Sequence, residues 1–94
     1  MKLSVLNYHG IEARRGEYDW LGEEVPYVVS ADIFSRQMDQ IKTEGYRSLG
    51  AEGLRAWCSG RGAAKDIVLT FDDGMKCHAQ HAAPIMKSRG LTGL

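Results

Sequence analysis

The chain has 94 residues, which is enough for one small domain and too few for two. Hydrophobic residues make up 44% and charged residues 26%, so the composition is that of a globular protein and argues against disorder. The 12 Lys and Arg residues balance the 12 Asp and Glu residues, which excludes a protein that binds nucleic acid through a basic excess. No apolar run is long enough for a transmembrane helix, so we expect no membrane span.

The amino terminus predicts a buried strand and not an export signal. Residues 3–8 form a short apolar run, and Asn7 and His9 end it too early for the core of a signal peptide. Taken at face value, this indicates a cytoplasmic product, unless an export signal lies outside the chain. Cys58 and Cys77 are too few for a disulfide framework, so we expect two free thiols.

The first half of the chain predicts a loop followed by helices. Residues 10–26 mix Gly, charged and aromatic side chains without a period and predict a long loop. Ser30 is a favourable helix N-cap, and the apolar residues after it recur at helical spacing until Gly45. Residues 46–49 predict a short strand, and a weaker helical stripe follows at 54–58.

The second half contains the clearest strand of the sequence. Residues 67–71 are nearly all apolar, as in a parallel strand that is buried on both faces. A helical face at 82–86 follows, Gly90 provides its C-cap, and residues 91–94 begin another apolar segment. This alternation predicts an α/β fold with parallel strands, and we expect residues 1–94 to be one incomplete domain.

Two adjacent carboxylates, Asp72 and Asp73, follow this strand, and Gly74 allows the chain to turn. Ligands of α/β proteins bind at the carboxyl ends of parallel strands, so this position favours a functional site. Two neighbouring carboxylates repel one another, and a divalent cation that binds one of them removes this repulsion. The pair then provides a metal ligand beside a general base, as in metal-assisted hydrolysis. The alternative is an ordinary Asp-Gly turn.

The longer pattern resembles a known family. Residues 67–74, Ile-Val-Leu-Thr-Phe-Asp-Asp-Gly, resemble the first motif of polysaccharide deacetylases of carbohydrate esterase family 4. The sequence Asn-Tyr-His-Gly-Ile at 7–11 is similar to their Tyr-His opening, and segments 34–46 and 83–90 resemble the helices around the motif strand. The resemblance implies the N-terminal portion of a distorted (β/α) barrel that removes acetyl groups from an N-acetylated glycan.

The resemblance also implies roles for the two carboxylates. Asp72 matches the general base, and Asp73 matches a ligand of a divalent metal, with zinc as the expected ion. The family's later motifs, which supply two histidine ligands and the general acid, have no counterpart in this sequence. We therefore expect a domain truncated after the first motif and inactive by itself, within a parent deacetylase. The competing hypothesis is a non-catalytic remnant or a small binding module.

Three histidines have two interpretations each. His78 and His81 have the spacing of a metal-binding pair, and Cys77 beside them is a third potential ligand. Their position directly after the Asp-Asp-Gly motif differs from that of the family's pair, and it favours an ordinary solvated helix start. For His9 a structural role, such as satisfying loop carbonyls, is favoured over catalysis.

Two further expectations concern surfaces of the protein. Tyr18, Trp20 and Tyr27 either stack on sugar rings or anchor the long loop, and anchoring is the commoner role of such aromatic residues. The strand at 67–71 is expected to lack one neighbour, so that its exposed edge leads to self-association and prevents a stable monomer of these 94 residues alone.

Overall fold

In the computed structural model, residues 2–72 and 75–94 are described, and strands alternate with helices along them. The elements are, in chain order, β1 (Ser4–Tyr8), β2 (Gly10–Glu12), β3 (Val28–Ser30), α1 (Ala31–Thr43), β4 (Arg47–Ser48), α2 (Ala51–Ala56), β5 (Asp66–Phe71) and α3 (Ala83–Ser88). Short helical segments at Trp57–Arg61 and His78–Ala82 extend α2 and precede α3, and the first of them is kinked at Gly60, whose φ is 84°. The predicted α/β class is confirmed. No helix in the described ranges is long and apolar enough to cross a membrane.

The main sheet has the strand order β1-β5-β4, and all of its strand pairs are parallel. Ser4 lies opposite Ile67 and Tyr8 opposite Phe71, so β1 and β5 end at the same edge of the sheet. The strand predicted from the apolar run at 67–71 is thus the central one. Within the described residues the sheet is open, so the fold shows part of the expected parallel architecture and no closed barrel.

The predicted free edge of β5 is wrong, because that strand is paired on both sides. The backbone N–H of Leu49 donates to Ile67 O at 2.9 Å, which continues the pairing with β4. Farther along the same edge, Leu94 N donates to Leu69 O at 2.8 Å and Phe71 N donates to Leu94 O at 3.2 Å. The segment expected to begin a strand at 91–94 therefore occupies the place in which a missing neighbour was predicted.

The apolar side chains that are most exposed in the sheet belong to β1. Val5 is 58% exposed and Leu6 is 40% exposed. β1 pairs with β5 on one side, and no described residue pairs with its other edge in the sheet. Within the described residues the open strand edge is therefore that of β1, and self-association of the chain stays a prediction.

Helices α1 and α3 cover one face of the main sheet. Ser30 caps α1 as predicted, because Ile33 N donates to Ser30 Oγ at 3.1 Å. The predicted apolar face of α1 is buried, and it forms one core with residues of β1, β5 and α3. This core contains Tyr8, Phe34, Met38, Ile41, Ile67, Leu69 and Met86. Both cysteines are free, as expected, with Cys58 exposed and Cys77 buried.

The segment predicted as a long loop contains a second small sheet. β2 and β3 pair in parallel, with Gly10 opposite Val28 and Glu12 opposite Ser30. Strands of three residues are too short to show an alternating pattern, so sequence periodicity could not identify them. Gly10 is required here, because a Cβ at this position would lie 2.8 Å from the Trp20 ring and 2.9 Å from Val28 Cγ2.

Candidate active site at the carboxyl end of the central strand

Asp72 follows β5 at the edge of the sheet where β1 also ends. Its backbone N–H donates to Tyr8 O at 3.0 Å, so the ends of the two strands are fixed side by side. The Asp72 side chain is exposed. The structure therefore places the predicted general base at the carboxyl end of a parallel strand, where ligands of α/β folds bind.

The side chain of Asp72 belongs to the sheet face that α1 and α3 leave uncovered. Side chains alternate between the two faces along a strand. Tyr8 and Leu69 lie in the core beneath the helices, whereas Asn7, Thr70 and Asp72 occupy the alternate positions. This alternation brings three polar side chains together on the opposite face.

These three side chains form a continuous hydrogen-bonded row. Thr70 Oγ1 donates to Asn7 Oδ1 at 2.8 Å, and Asn7 Nδ2 donates to Asp72 Oδ2 at 2.9 Å. No role for Asn7 or for the Thr70 hydroxyl was predicted from the sequence. The available signal was a polar residue that interrupts the apolar β1 run directly before Tyr8 and His9.

A cleft of about 650 Å³ opens beside Asp72. It lies between the carboxyl end of β1 and the segment before β3, and its walls include His9, Glu24 and Tyr27. His9 Nε2 lies 3.4 Å from Glu24 Oε1, and the His9 ring meets the Tyr27 ring edge to face with centroids 6.4 Å apart. His9 therefore lines the same cleft as Asp72, where it contacts the segment that borders the opening.

Tyr8 makes the floor of the cleft rigid. Its ring packs edge to face on Phe34 at 4.9 Å and stacks on Phe71 at 5.7 Å between centroids. The hydroxyl donates to Gln37 Oε1 at 2.6 Å, and burial raises the pKa of the phenol. Tyr8 is thus a neutral, fixed group that holds the end of β1 against α1.

The three loop aromatics have different surroundings. The rings of Tyr18 and Trp20 meet edge to face at 5.5 Å and pack against the core, and Trp20 Nε1 donates to Glu12 Oε2 at 3.2 Å. These contacts support loop anchoring for both residues. Tyr27 is 67% exposed and borders the cleft, so it presents an aromatic surface to the solvent there.

His78 contacts the residue between β1 and β2, and His81 contacts the loop after β2. His78 Nε2 lies 2.5 Å from His9 O, and since a carbonyl only accepts, this nitrogen carries the hydrogen. His81 Nε2 lies 2.8 Å from Glu17 Oε1. Cys77 is 1% exposed in the core, and burial raises the pKa of its thiol. The two histidines have separate partners, so these contacts give each of them a structural role. Both are partly buried, so the predicted solvated helix start is wrong for their side chains.

The expected metal site cannot be built from the described residues. Asp73, the predicted ligand, lies outside them. Among residues 2–72 and 75–94, no three His, Cys, Asp or Glu side chains are grouped so that they could hold a metal ion. A catalytic zinc site takes about three protein ligands, so this part of the chain does not fit the group by itself.

Comparisons with solved structures find deacetylases that are similar to this chain. No protein-family model and no curated protein matches the chain. The solved Streptococcus pyogenes deacetylase PplD, in complex with acetate, is 32% identical over 99% of this chain, with a TM-score of 0.76. A polysaccharide deacetylase from Bacillus cereus is 31% identical over 94%, with a TM-score of 0.69. IcaB from Ammonifex degensii is 27% identical over 97%, with a TM-score of 0.76.

These matches confirm the resemblance predicted from the motif. Nearly all of the chain is similar in structure to part of these deacetylases. The chain spans 41% of PplD, 25% of the Bacillus cereus enzyme and 36% of IcaB. It therefore corresponds to a segment of such enzymes.

Proposed function

We propose that the protein containing this polysaccharide deacetylase-type segment removes N-acetyl groups from a polysaccharide or a related glycan. The observation that carries this proposal is the position of Asp72. Its exposed carboxylate stands at the carboxyl end of β5, beside a cleft of about 650 Å³. Solved structures with 31–32% identity over nearly the whole chain are deacetylases.

Asp72 is the proposed general base. A water molecule in the cleft attacks the carbonyl carbon of the N-acetyl group, and the Asp72 carboxylate takes the proton that the water loses. The carbon–nitrogen bond then breaks, and the proton passes to the departing amine, which leaves acetate and a free amino sugar. A positioned general base typically accelerates such a step by about 10²–10⁴-fold.

A divalent metal remains part of the proposal, with zinc as the expected ion and Asp73 as its expected ligand in this chain. The resemblance to deacetylases supports this role. Because the described residues do not form a metal site, the chemistry above is derived from Asp72 alone. At least one ligand of a three-ligand site would then come from residues outside the described ranges.

The cleft has one feature that suits a glycan. Tyr27 offers an exposed aromatic face at the border of the cleft that contains Asp72. Sugar rings present apolar C–H faces that stack on aromatic side chains, so Tyr27 is the proposed platform for the sugar next to the reacting one. Tyr18 and Trp20 are excluded from this role by their packing against the core.

The test measures acetate released from an N-acetylated chitooligosaccharide by the whole protein. Asp72→Asn should reduce kcat by about 10²–10⁴-fold, because the amide cannot accept the proton, while bound metal is retained. Asp73→Asn should also lower the metal content measured by elemental analysis. Asp32→Asn, a matched change at an exposed acid on α1, should have no effect. Near-normal acetate release by both site variants would remove the proposed roles.

The alternative function is a non-catalytic glycan-binding module. The exposed ring of Tyr27 beside a cleft is the observation that favours it. Titration of the same oligosaccharide distinguishes the two functions. Saturable binding that Tyr27→Ala weakens, without any acetate release, would support the binding module and exclude the deacetylase.

A further inference from the structure

Asn7 is placed to control the direction of the Asp72 carboxylate. It stands one residue before the end of β1, directly opposite Thr70 on β5, and Asp72 lies two residues beyond Thr70. Its Nδ2 donates to Asp72 Oδ2 at 2.9 Å, whereas no described side chain makes a hydrogen bond to Asp72 Oδ1. The second oxygen is therefore the one available to a water molecule in the cleft.

The orientation of the Asn7 amide is set by its other neighbour. Thr70 Oγ1 lies 2.8 Å from Asn7 Oδ1 and 3.3 Å from Leu6 O. With the hydroxyl donating to Oδ1, the amide nitrogen must face Asp72, because an amide has its donor and its acceptor on opposite branches. Reversing the amide would place its oxygen against the carboxylate, where neither group could donate.

The backbone makes this row of side chains rigid. Asn7 and Thr70 are register partners in a parallel strand pair, and the N–H of Asp72 is bonded to Tyr8 O at 3.0 Å. The side chain of Asp72 starts from a fixed point, so one hydrogen bond is enough to select its rotamer. A neutral amide can do this without providing a competing charge.

We propose that Asn7, held by Thr70, is a positioning residue that aims the Asp72 carboxylate into the cleft. The proposal rests on the proposed function of Asp72 as general base. A general base must lie within hydrogen-bonding reach of the proton that it removes, so loss of its orientation lowers turnover and leaves substrate affinity intact. Asn7 also lines the cleft, and direct binding of the substrate is the competing role.

Steady-state kinetics of the whole protein separate the two roles. Asn7→Ala should lower kcat for acetate release by roughly 10-fold with KM unchanged, as expected for a residue that supports a catalytic group. Thr70→Val keeps the shape but removes the hydroxyl, and it should lower kcat as well. Thr70→Ser returns the hydroxyl and should recover the turnover that the valine variant loses. A rise in KM with kcat unchanged would overturn positioning.

The control lies on the same strand and the same face. Val5→Thr changes an exposed side chain two residues before Asn7, and it should leave both kinetic constants unchanged. If the wild-type protein released no acetate, the proposed function would fail. If it released acetate and Asn7→Ala had the wild-type kcat, only the positioning role would fail.

A structural readout that needs no turnover completes the test. The Asp72 side chain should adopt a different or a mixed rotamer in crystal structures of Asn7→Ala, and the wild-type rotamer in Val5→Thr. An unchanged Asp72 rotamer in the Asn7 variant would overturn the inference independently of activity.

Discussion

The central strand β5 has an aspartate at its first position, Asp66, and another, Asp72, directly after its last. Asp66 is 1% exposed and accepts hydrogen bonds from Arg47 Nε and Nη2 at 2.9 and 3.0 Å and from Ala63 N at 2.8 Å. Asp72 is exposed and accepts one described side-chain hydrogen bond, from Asn7. The same residue type is thus buried at the amino end of β5 and exposed at its carboxyl end.

If Asp72 has the proposed catalytic role, this difference separates stability from function along one strand. In barrels of parallel strands, the amino end of a strand serves folding, and the carboxyl end carries the chemistry. Asp66 uses its oxygens to tie β4 and the turn before β5 to the sheet. Asp72 Oδ1 accepts no hydrogen bond from a described side chain, which agrees with the proposed role of a group that acts on a ligand.

The largest effect on stability is expected from Arg47→Gln. The guanidinium is 64% exposed and tolerates replacement itself, but its loss leaves the enclosed Asp66 carboxylate with Ala63 N as its described donor. An uncompensated buried charge strongly destabilises a fold, so the melting temperature should fall by about 10 °C or more. Differential scanning calorimetry measures this, with Arg36→Gln on the exposed face of α1 as the matched control. A melting temperature of Arg47→Gln equal to that of the wild type would mean that the Arg47–Asp66 pair contributes nothing to the stability of the fold.

Lowering the pH is expected to destabilise the fold by less than Arg47→Gln does. The hydrogen bonds from Arg47 and then from Ala63 N hold the pKa of Asp66 below its ordinary value of 3.8. Because the folded-state pKa is the lower one, ionised Asp66 stabilises the fold above the unfolded-state pKa. This stabilisation is lost as the pH falls through the folded-state pKa. The melting temperature should therefore decline as the pH falls below about 4, and Asp66→Asn should reduce this decline.

Asp39 provides the comparison for this pH experiment. The hydrogen bond from Arg89 also lowers the pKa of Asp39, but this carboxylate is 59% exposed. Solvent and salt screen an exposed pair, so Asp39→Asn should change the acid profile less, and 0.5 M NaCl should remove most of that change. An equal change in the acid profiles of Asp66→Asn and Asp39→Asn would show that the burial of Asp66 does not increase its contribution to stability.

The parts of the fold that sequence analysis predicted are those with local signals. The cap at Ser30 and the apolar face of α1 lie within one helix, and the strand before Asp72 is one continuous apolar run. The parts that it missed depend on distant partners. The Arg47–Asp66 pair spans 19 positions and the Asn7–Asp72 contact spans 65, so no local pattern indicates either.

The candidate site also combines a local sequence signal with contacts between distant residues. Asp72 could be predicted as a candidate because its motif is contiguous and ends a strand, and its position at the sheet edge follows from parallel pairing. The cleft could not be predicted, because its walls come from the end of β1 and from a segment near residues 23–29 that showed no periodicity. The role of Tyr27 could be distinguished from those of Tyr18 and Trp20 only by how the three rings pack in the structure.

The smallest effect on stability is expected from Asp72→Asn, although this change should abolish most of the turnover. The side chain is exposed, and an asparagine oxygen can still accept the hydrogen bond from Asn7. Substitutions at exposed positions usually change stability by at most about 0.5 kcal/mol, so the melting temperature should stay within roughly 2 °C of the wild type. A small increase in the melting temperature of Asp72→Asn would also agree with the contrast between Asp66 and Asp72, because residues kept for activity often lower the stability of the fold. A decrease as large as that of Arg47→Gln would instead make Asp72 a structural residue, and the two ends of β5 would no longer differ in role.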